Sequence, residues 1–215
     1  MIAYDFLKFL EDKANKPVPL QYKLIHDPDS IVESDLKVRE YLNLENTGVT
    51  SLPDYLEVDG TLNISFTSIS KLPKGLKVSG DLLASYSDLT EIPSHVEIGG
   101  GLYLSGTPVK QLPESLKVQG PLYLVHSAIS ELPKGLKVQG SLFIQSTKLR
   151  ELPEGLTVVK NLHAFGVPLM KIPRKLLVGG NLYIGNTRLT SMYAEREIRD
   201  MLKSEECEIL GKVLF

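Results

Sequence analysis

The chain has 215 residues, a hydrophobic fraction of 42% and one cysteine, which suits one folded domain and excludes an internal disulfide framework. Its 24 basic and 26 acidic side chains nearly cancel, which argues against a general nucleic-acid binder with a basic excess. No apolar run approaches the roughly 18 residues of a membrane helix, and the N-terminus lacks a leader-like order, so we expect a cytoplasmic protein without membrane contact.

Residues 1–35 precede the regular part of the sequence and are predicted to cap it. Ile2, Phe6 and Phe9 share one helical face, which predicts an amphipathic helix over Ile2 to Ala14. Two prolines then interrupt the helical pattern, and Leu20 to Ile25 is interpreted as extended chain. We therefore expect a helical N-terminal cap followed by an extended segment.

Residues 36–190 are built from a unit of 20 residues. A Leu-Pro or Ile-Pro pair recurs at every twentieth position from Leu52 to Ile172. The unit reads L-x-V-x-G-x-L-x-L-x-x-T-x-L-x-x-L-P-x-x. Leucine fills one column throughout, at residues 42, 62, 82, 102, 122, 142, 162 and 182. A fixed period of this length indicates a solenoid, in which each repeat is one coil.

The two halves of the unit predict different structures. Apolar residues alternate through L-x-V, the glycine and L-x-L, which predicts extended chain with one face inward. The glycine column, from Gly60 to Gly180, falls on that inward parity and predicts a corner. Proline cannot donate to a strand ladder, so Leu-Pro belongs to a return arc. One unit cannot bury its apolar residues alone, so we predict about eight stacked coils with parallel strands.

Residues 191–215 are predicted to form the second cap. Ala194, Ile198, Met201 and Leu202 lie at helical spacing in a charged segment, which predicts an amphipathic helix. Glu208 to Phe215 is interpreted as one final short strand. The predicted fold class is therefore an α/β solenoid with helical N- and C-terminal caps, forming one structural domain from segments 1–35, 36–190 and 191–215.

Eight in-register copies with Leu-Pro in the return arc resemble the bacterial short type of leucine-rich repeat, from Leu36 to about Thr190. The resemblance implies parallel strands whose outward side chains form a concave face, which is the usual binding surface in that family. The G-x-L-x-L-x-x-T form is similar to repeats in phage and gut bacterial proteins, which implies a phage or bacterial source.

Two columns depart from the family, and one coil departs from the other coils. The family has asparagine after the strand, bonded to neighbouring coils, whereas threonine or serine stands here, as at Thr107, and we expect a weaker version of that ladder. The family's leading leucine is replaced, as by Asp59, so curvature is not carried over. In the seventh coil Lys160 replaces the glycine and Val167 the hydroxyl, which predicts either a local bend or simple drift.

The outward strand positions carry the candidate binding residues. Five consecutive coils present a ring in one column, and we call this set the aromatic stripe: Tyr103, Tyr123, Phe143, His163 and Tyr183. Beside it lie three further candidates, Phe165, Tyr86 and His126. An exposed row of rings favours partner recognition, although cross-strand ring pairs also stabilise a sheet without binding anything.

Charge is distributed unevenly along the repeats. Residues 36–100 carry 5 basic and 9 acidic side chains, whereas residues 101–190 carry 11 basic and 4 acidic ones. Four lysines form a candidate basic edge: Lys77, Lys117, Lys137 and Lys134. Such an edge is either a solvated face, with glutamates nearby, or a contact for an acidic partner such as nucleic acid.

Catalytic and metal-binding patterns are absent from the sequence. The four histidines occupy different columns, and the outward strand positions from the second coil to the eighth hold a single acid, Asp81. We therefore predict a protein without enzymatic activity, cofactor or metal that binds a protein partner, and the phage resemblance implies a host protein that it blocks. The alternatives are a solenoid that binds glycan or nucleic acid, and a homo-oligomer formed through the same face; the chain itself is a monomer or homodimer.

Overall fold

The computed structural model describes residues 17–215 together with Asp5, Lys8 and Lys13. From Lys37 onward the chain winds into a parallel-strand β-solenoid, with short helices before it and near its C-terminus. Of the N-terminal helix expected over Ile2 to Ala14, the described residues Asp5, Lys8 and Lys13 are helical, and its other residues fall outside the described part of the chain.

Helix α1 spans Leu20–His26, so the extended segment expected there is wrong. The helix buries Leu20, Lys23 and Leu24, which lie on one helical face. Because one inward position is a lysine, the apolar residues alone do not reveal this helical period. The ammonium of Lys23 donates to Asp35 Oδ2 at 2.9 Å, so the buried cation has an anionic partner. Two 3-10 helices follow, at Pro28–Ser30 and Glu33–Leu36.

Each regular coil contributes one strand to a long sheet. The nine strands of the long sheet are β2 Leu42–Asn43, β4 Leu62–Asn63, β6 Leu82–Leu83, β8 Leu102–Tyr103, β9 Leu122–Tyr123, β11 Leu142–Phe143, β13 Leu162–His163, β15 Leu182–Tyr183 and β17 Val213–Leu214. Coils are numbered 1 to 9 by these strands. Eight of the strands follow one another at steps of 20 residues, from Leu42↔Leu62 to Leu162↔Leu182. The eight predicted copies therefore enclose seven complete turns, slightly fewer than expected.

A second sheet lies on the preceding segment of each coil and is divided into two parts. Its strands are β1 Lys37–Val38, β3 Glu57–Val58, β5 Lys77–Val78 and β7 Glu97–Ile98 in the first part, and β10 Lys137–Val138, β12 Thr157–Val158, β14 Leu177–Val178 and β16 Glu208–Ile209 in the other. Val118 joins the other part through an isolated bridge to Val138. Gly99 N–H donates to Val78 O at 2.9 Å, but within residues 17–215 the equivalent bond from Gln119 to Ile98 is missing. The second sheet is thus interrupted between coils 4 and 5.

The irregular corner at coils 4 and 5 accompanies this interruption. Most coils place a residue with positive φ before the second-sheet strand, such as Gly75, Gly135 and Gly155. His95 and Ser115 occupy that position in coils 4 and 5 and do not adopt the left-handed conformation. A groove of about 660 Å³ opens beside them. In coil 7, where a local bend or simple drift was expected, strand pairing is continuous in both sheets, so the interruption of the second sheet lies elsewhere.

The core is a continuous column of aliphatic side chains enclosed by the coils. The leucines that begin the long-sheet strands from coil 1 to coil 8 are at most 2% exposed. Beside them, Thr107 Oγ1 donates to Leu104 O at 2.7 Å, within its own coil. The same bond recurs at Thr47, Thr67, Ser87, Ser127 and Thr147. The expected ladder between coils is therefore wrong, because the short hydroxyl side chain takes the carbonyl three residues back.

The glycine column allows neighbouring coils to approach closely. Gly80 N–H donates to Gly60 O at 2.9 Å, and the same bond links the following coils. A Cβ on Gly120 would lie 2.5 Å from the backbone nitrogen of Gly101, so contact with the adjacent coil explains the glycine. Lys160 in this column is exposed, which shows that the position does not face the core as expected.

The C-terminal segment contains two helices and a ninth coil. Helix α2 spans Arg188–Met192 and helix α3 spans Glu195–Ser204, which confirms the predicted amphipathic helix. Ile198 and Leu202 are the buried residues of α3. The single final strand expected over Glu208–Phe215 is instead the pair β16 and β17, which resumes the register of coil 8. The residues Ile209, Gly211 and Val213 repeat the V-x-G-x-L pattern, a signal that the sequence contained.

Within the described part of the chain, no helix has both the length and the apolar character that crossing a membrane requires.

Candidate functional site

The aromatic stripe is one continuous stack of rings on the outward face of the long sheet. Ring centroids lie 4.6 Å apart for Tyr103 and Tyr123, and 4.1 Å apart for Tyr123 and Phe143. The distances are 4.4 Å for Phe143 and His163, and 4.5 Å for His163 and Tyr183. Adjacent rings are within 12° of parallel. The strands produce this stack because residues of one column are separated by one strand spacing of about 4.8 Å.

Stacking leaves the stripe half-buried, with its ring edges toward solvent. Each of the five rings has intermediate exposure, since its neighbours cover its faces. Burial raises the pKa of the Tyr103 hydroxyl, and the nearby Asp81 carboxylate and Tyr123 add to this increase. Burial between Phe143 and Tyr183 lowers the pKa of His163, so its imidazole stays neutral over a wider pH range.

Phe66 and Tyr86 form a separate stacked pair at the corner that follows the strands. Their ring centroids are 5.1 Å apart, and each side chain is 52% exposed. Both residues have positive φ, at 56° and 57°, a conformation that is costly for a bulky side chain. Gly106 follows Tyr86 in this column, and a Cβ there would clash with the Tyr86 ring. The pair is therefore distinct from the aromatic stripe.

The remaining two candidates stay apart from both stacks. His126 lies at the same corner as Tyr86, is exposed and also has positive φ, but Gly106 separates the two residues. Phe165 is 55% exposed beside His163, and its ring lies over Gly185. Phe66 was not among the predicted binding residues, although its position 20 residues before Tyr86 places both rings in one column.

The outward face of the long sheet, together with the corner that follows it, is called the strand face below. Apart from its rings, its accessible residues are mainly serine, glycine and asparagine: Asn43, Asn46, Ser85, Ser105, Gly106, Ser141, Ser146, Asn161, Gly166, Asn181 and Asn186. The charged side chains of this face, Glu45, Asp81 and Lys212, lie just before or after the strands. Tyrosine with serine, glycine and asparagine is the composition of antibody paratopes, in which rigid rings provide contact area and small polar residues adapt their hydrogen bonds.

A second ladder of polar side chains borders the stripe. Asp81 Oδ1 accepts the N–H of Gly101 at 2.6 Å, and Asn161 Oδ1 accepts the N–H of Asn181 at 2.8 Å. Asn181 Oδ1 in turn accepts the N–H of Lys212 at 2.8 Å. Its members change between aspartate and asparagine, so no single residue type marks this ladder in the sequence. The acid at Asp81 is therefore used in joining two coils.

The basic edge is interrupted by acids. Lys77, Lys117, Lys137 and Lys134 are all exposed. Glu97 lies in the same column between Lys77 and Lys117, in register with Lys77. Lys77 Nζ lies 3.9 Å from a carboxylate oxygen of Glu57. The edge is thus an alternation of charges at its N-terminal end rather than a continuous basic strip.

The return arcs of the later coils hold a groove of about 1000 Å³. Its charged side chains are mixed in sign, and Lys171 Nζ lies 2.7 Å from Glu151 Oε2. Lys134 of the basic edge lines it near Glu131 and Glu154. Among the described residues, no cluster of three His, Cys, Asp or Glu side chains could hold a metal ion. The arc groove therefore has no uniform charge, and its described residues include no set of metal-binding side chains.

The chain matches no protein-family model, and no curated protein matches it.

Proposed function

We propose that this protein is a non-enzymatic protein-binding module whose strand face is the docking surface. The observation that carries the proposal is the aromatic stripe: five rings on consecutive coils, stacked 4.1 to 4.6 Å apart. Neighbouring rings and the strands beneath them hold each ring before any partner arrives. Little side-chain entropy is therefore lost on binding, which favours affinity.

The corner pair supports the same surface. Phe66 and Tyr86 stay exposed at positions where other coils use Gly106, Gly166 or Asn46, which adopt positive φ at lower cost. An exposed ring contributes nothing to the packing of the core, and its backbone conformation lowers stability. A role in contact with a partner explains why rings occupy these positions.

A protein partner fits the strand face better than a glycan or a nucleic acid. Sugars stack on ring faces, and the inner faces of the stripe are covered by neighbouring rings, as for Phe143 between Tyr123 and His163. Nucleic acid requires a basic surface, whereas the basic edge is broken by Glu57 and Glu97.

The resemblance to bacterial leucine-rich repeats extends the proposal. A leucine-rich-repeat protein of phage or bacterial origin that acts in the cytoplasm would use this face to bind and block a host protein. The rigid, ring-bearing surface suits such a role, because a blocking protein needs contact area rather than chemistry.

Affinity capture from a bacterial lysate tests the proposal, with a variant that removes two rings of the stripe. The change is Tyr103→Ser together with Tyr123→Ser, since serine already occupies partly exposed positions such as Ser85 on the same face. The matched control is Tyr55→Ser, because Tyr55 is 58% exposed on the return arc, away from the strand face. We expect proteins retained by the wild type and the control to be lost from the double variant. Identical sets of retained proteins for all three would contradict the proposal.

A further inference from the structure

Charges around the strand face are segregated by sign along the solenoid. Across the segment that runs from the glycine column to the residue after the hydroxyl column, the charged side chains of coils 1 to 3 are Glu40, Glu45, Asp81 and Asp88. The same segment has no charged side chain in coils 4 and 5. In coils 6 to 9 it carries Lys148, Lys160, Arg188 and Lys212. The face is therefore acidic at one end, uncharged in the middle and basic at the other end.

This order of charges is complementary to itself when one copy is reversed. From it we infer that the protein partner of the strand face is a second copy of this chain, packed face to face with the two solenoid axes antiparallel. The inference rests on the proposed function, since it names the partner of the same face. A twofold axis that runs along the strand of coil 5 brings coil 3 opposite coil 7 and coil 4 opposite coil 6.

The reversed arrangement pairs individual charges. At the border of the strand face, just after the corner, Asp88 in coil 3 comes to lie between Lys148 of coil 6 and Arg188 of coil 8 in the other copy, because all three occupy one column. All three side chains are exposed, and within residues 17–215 none of them forms an ion pair in the single chain. Asp81 likewise comes opposite the coil that carries Lys160. Each such contact occurs twice in a twofold dimer.

The middle of the face supplies the apolar contact of this dimer. Coil 5 meets its own copy at Tyr123, and Tyr103 meets Phe143 across the interface. Rings within 12° of parallel make the stripe nearly straight over these coils, so two stripes can lie side by side. Nine strands at about 4.8 Å give a face roughly 40 Å by 15 Å, or about 1,200 Å² for two copies. That area is at the lower limit for a specific complex, so we expect a dimer of micromolar affinity that another protein can displace.

Sedimentation analysis between roughly 1 and 200 µM tests the charge pairing. We expect a monomer–dimer equilibrium that Asp88→Lys weakens about three- to tenfold, because each copy loses its attraction to two cations. The double change Lys148→Glu with Arg188→Glu should weaken the dimer similarly, and the triple variant should recover the wild-type affinity. Glu131→Lys, an exposed reversal on the return arc, is the matched control and should have no effect.

Site-specific crosslinking tests the antiparallel orientation in a Cys207→Ser background. Val125→Cys places a thiol on coil 5, opposite its own copy, within reach of a bis-maleimide that spans about 10 Å, the spacing of packed sheets. Ser85→Cys places a thiol in the same column on coil 3, about 19 Å from its own copy along the axis. We expect a crosslinked dimer from Val125→Cys and none from Ser85→Cys.

Three results would overturn the inference: a monomer throughout the concentration range, a dimer insensitive to the charge reversals, or a series of higher oligomers from end-to-end growth. Lysate capture by the stripe variants separates this failure from that of the proposed function. A monomeric protein that still captures another protein through Tyr103 and Tyr123 retains the docking surface with a different partner. Loss of both self-association and stripe-dependent capture removes the docking surface itself.

Discussion

Close backbone contact decides which residues one column of this solenoid accepts. Gly80, Gly100, Gly120 and Gly140 each donate an N–H to the carbonyl of the glycine one coil earlier, at 2.9 to 3.0 Å. At this separation a methyl group meets main-chain atoms that cannot rotate away. The column is therefore set by contact between coils.

A pair of glycine substitutions tests this explanation. In Gly120→Ala the new Cβ would lie 2.5 Å from Gly101 N, so we expect a loss of about 1–3 kcal/mol in the free energy of unfolding. In Gly48→Ala the Cβ has no atom within 4 Å, and reduced freedom of the unfolded chain should leave stability unchanged or raise it by up to about 1 kcal/mol. Urea unfolding of both variants measures the difference. Equal losses at the two positions would refute a contact-based cause.

The two sheets differ in continuity at the scale of elements. The long sheet pairs without a break through coils 4 and 5, at Tyr103↔Tyr123, whereas the second sheet stops after β7 and resumes at β10. Coils 4 and 5 are therefore tied together along one strand and at the glycine column, while their second-sheet strands stand apart. Within residues 17–215, the amides of Lys117 and Gln119 form no bond to the preceding coil.

Hydrogen exchange measures this interruption directly. The N–H groups of Ser79 and Val159 are bonded to the preceding coil at 2.9 and 3.0 Å, whereas the described part of the chain provides no such bond for Gln119. We expect the Gln119 amide to exchange at least about tenfold faster than the other two, because unbonded amides exchange without local opening. Equal protection at the three positions would show that the second sheet is continuous in solution.

The aromatic stripe contains one group whose ionisation links it to stability. Burial lowers the pKa of His163 below its ordinary value of 6.5, so the unfolded chain binds this proton more readily than the folded one. The stabilising contribution of neutral His163 is complete above pH 6.5 and declines as the pH falls through the folded-state pKa. We expect the unfolding free energy of the wild type, relative to that of His163→Phe, to fall as the pH drops below 6.5. A pH-independent difference would contradict the effect of burial.

Periodicity in the sequence predicted most of these elements, and the exceptions have physical causes. Repeats of exact length reveal strands and stripe because one residue type every 20 positions becomes one column. Helix α1 was hidden because a buried position holds Lys23, whose charge is satisfied by Asp35, a partner distant in sequence. The break after coil 4 was hidden because it depends on the backbone conformation of His95 and Ser115, which no column of apolar residues reports.

At the scale of the whole molecule, stability is distributed along the coils. Apart from the second-sheet bonds missing between coils 4 and 5, the described coils contact their neighbours through the same kinds of hydrogen bond and share one aliphatic column. A solenoid of this kind gains stability roughly in proportion to its number of coils. The strand face likewise grows by one strand with each coil.

Removal of one complete coil tests this additivity. Deleting residues 122–141 joins Pro121 to Leu142 and retains every column, so we expect a folded protein with a urea m-value about a tenth smaller. Deleting residues 122–131 removes half a coil and places polar residues in the core column, so this control should not fold. Circular dichroism and urea titration distinguish the two. A half-coil deletion as stable as the full one would refute the repeat-based core.

The longer step before coil 9 has a consequence for engineering. Between Asn181 and Lys212 the chain takes 31 residues where other coils take 20, and it returns to register through the same side-chain bond. The segment that holds α2 and α3 is thus inserted between coils 8 and 9, and the two coils still pair in register. Foreign loops, tags or small domains grafted into the equivalent bends of other layers should be tolerated in the same way.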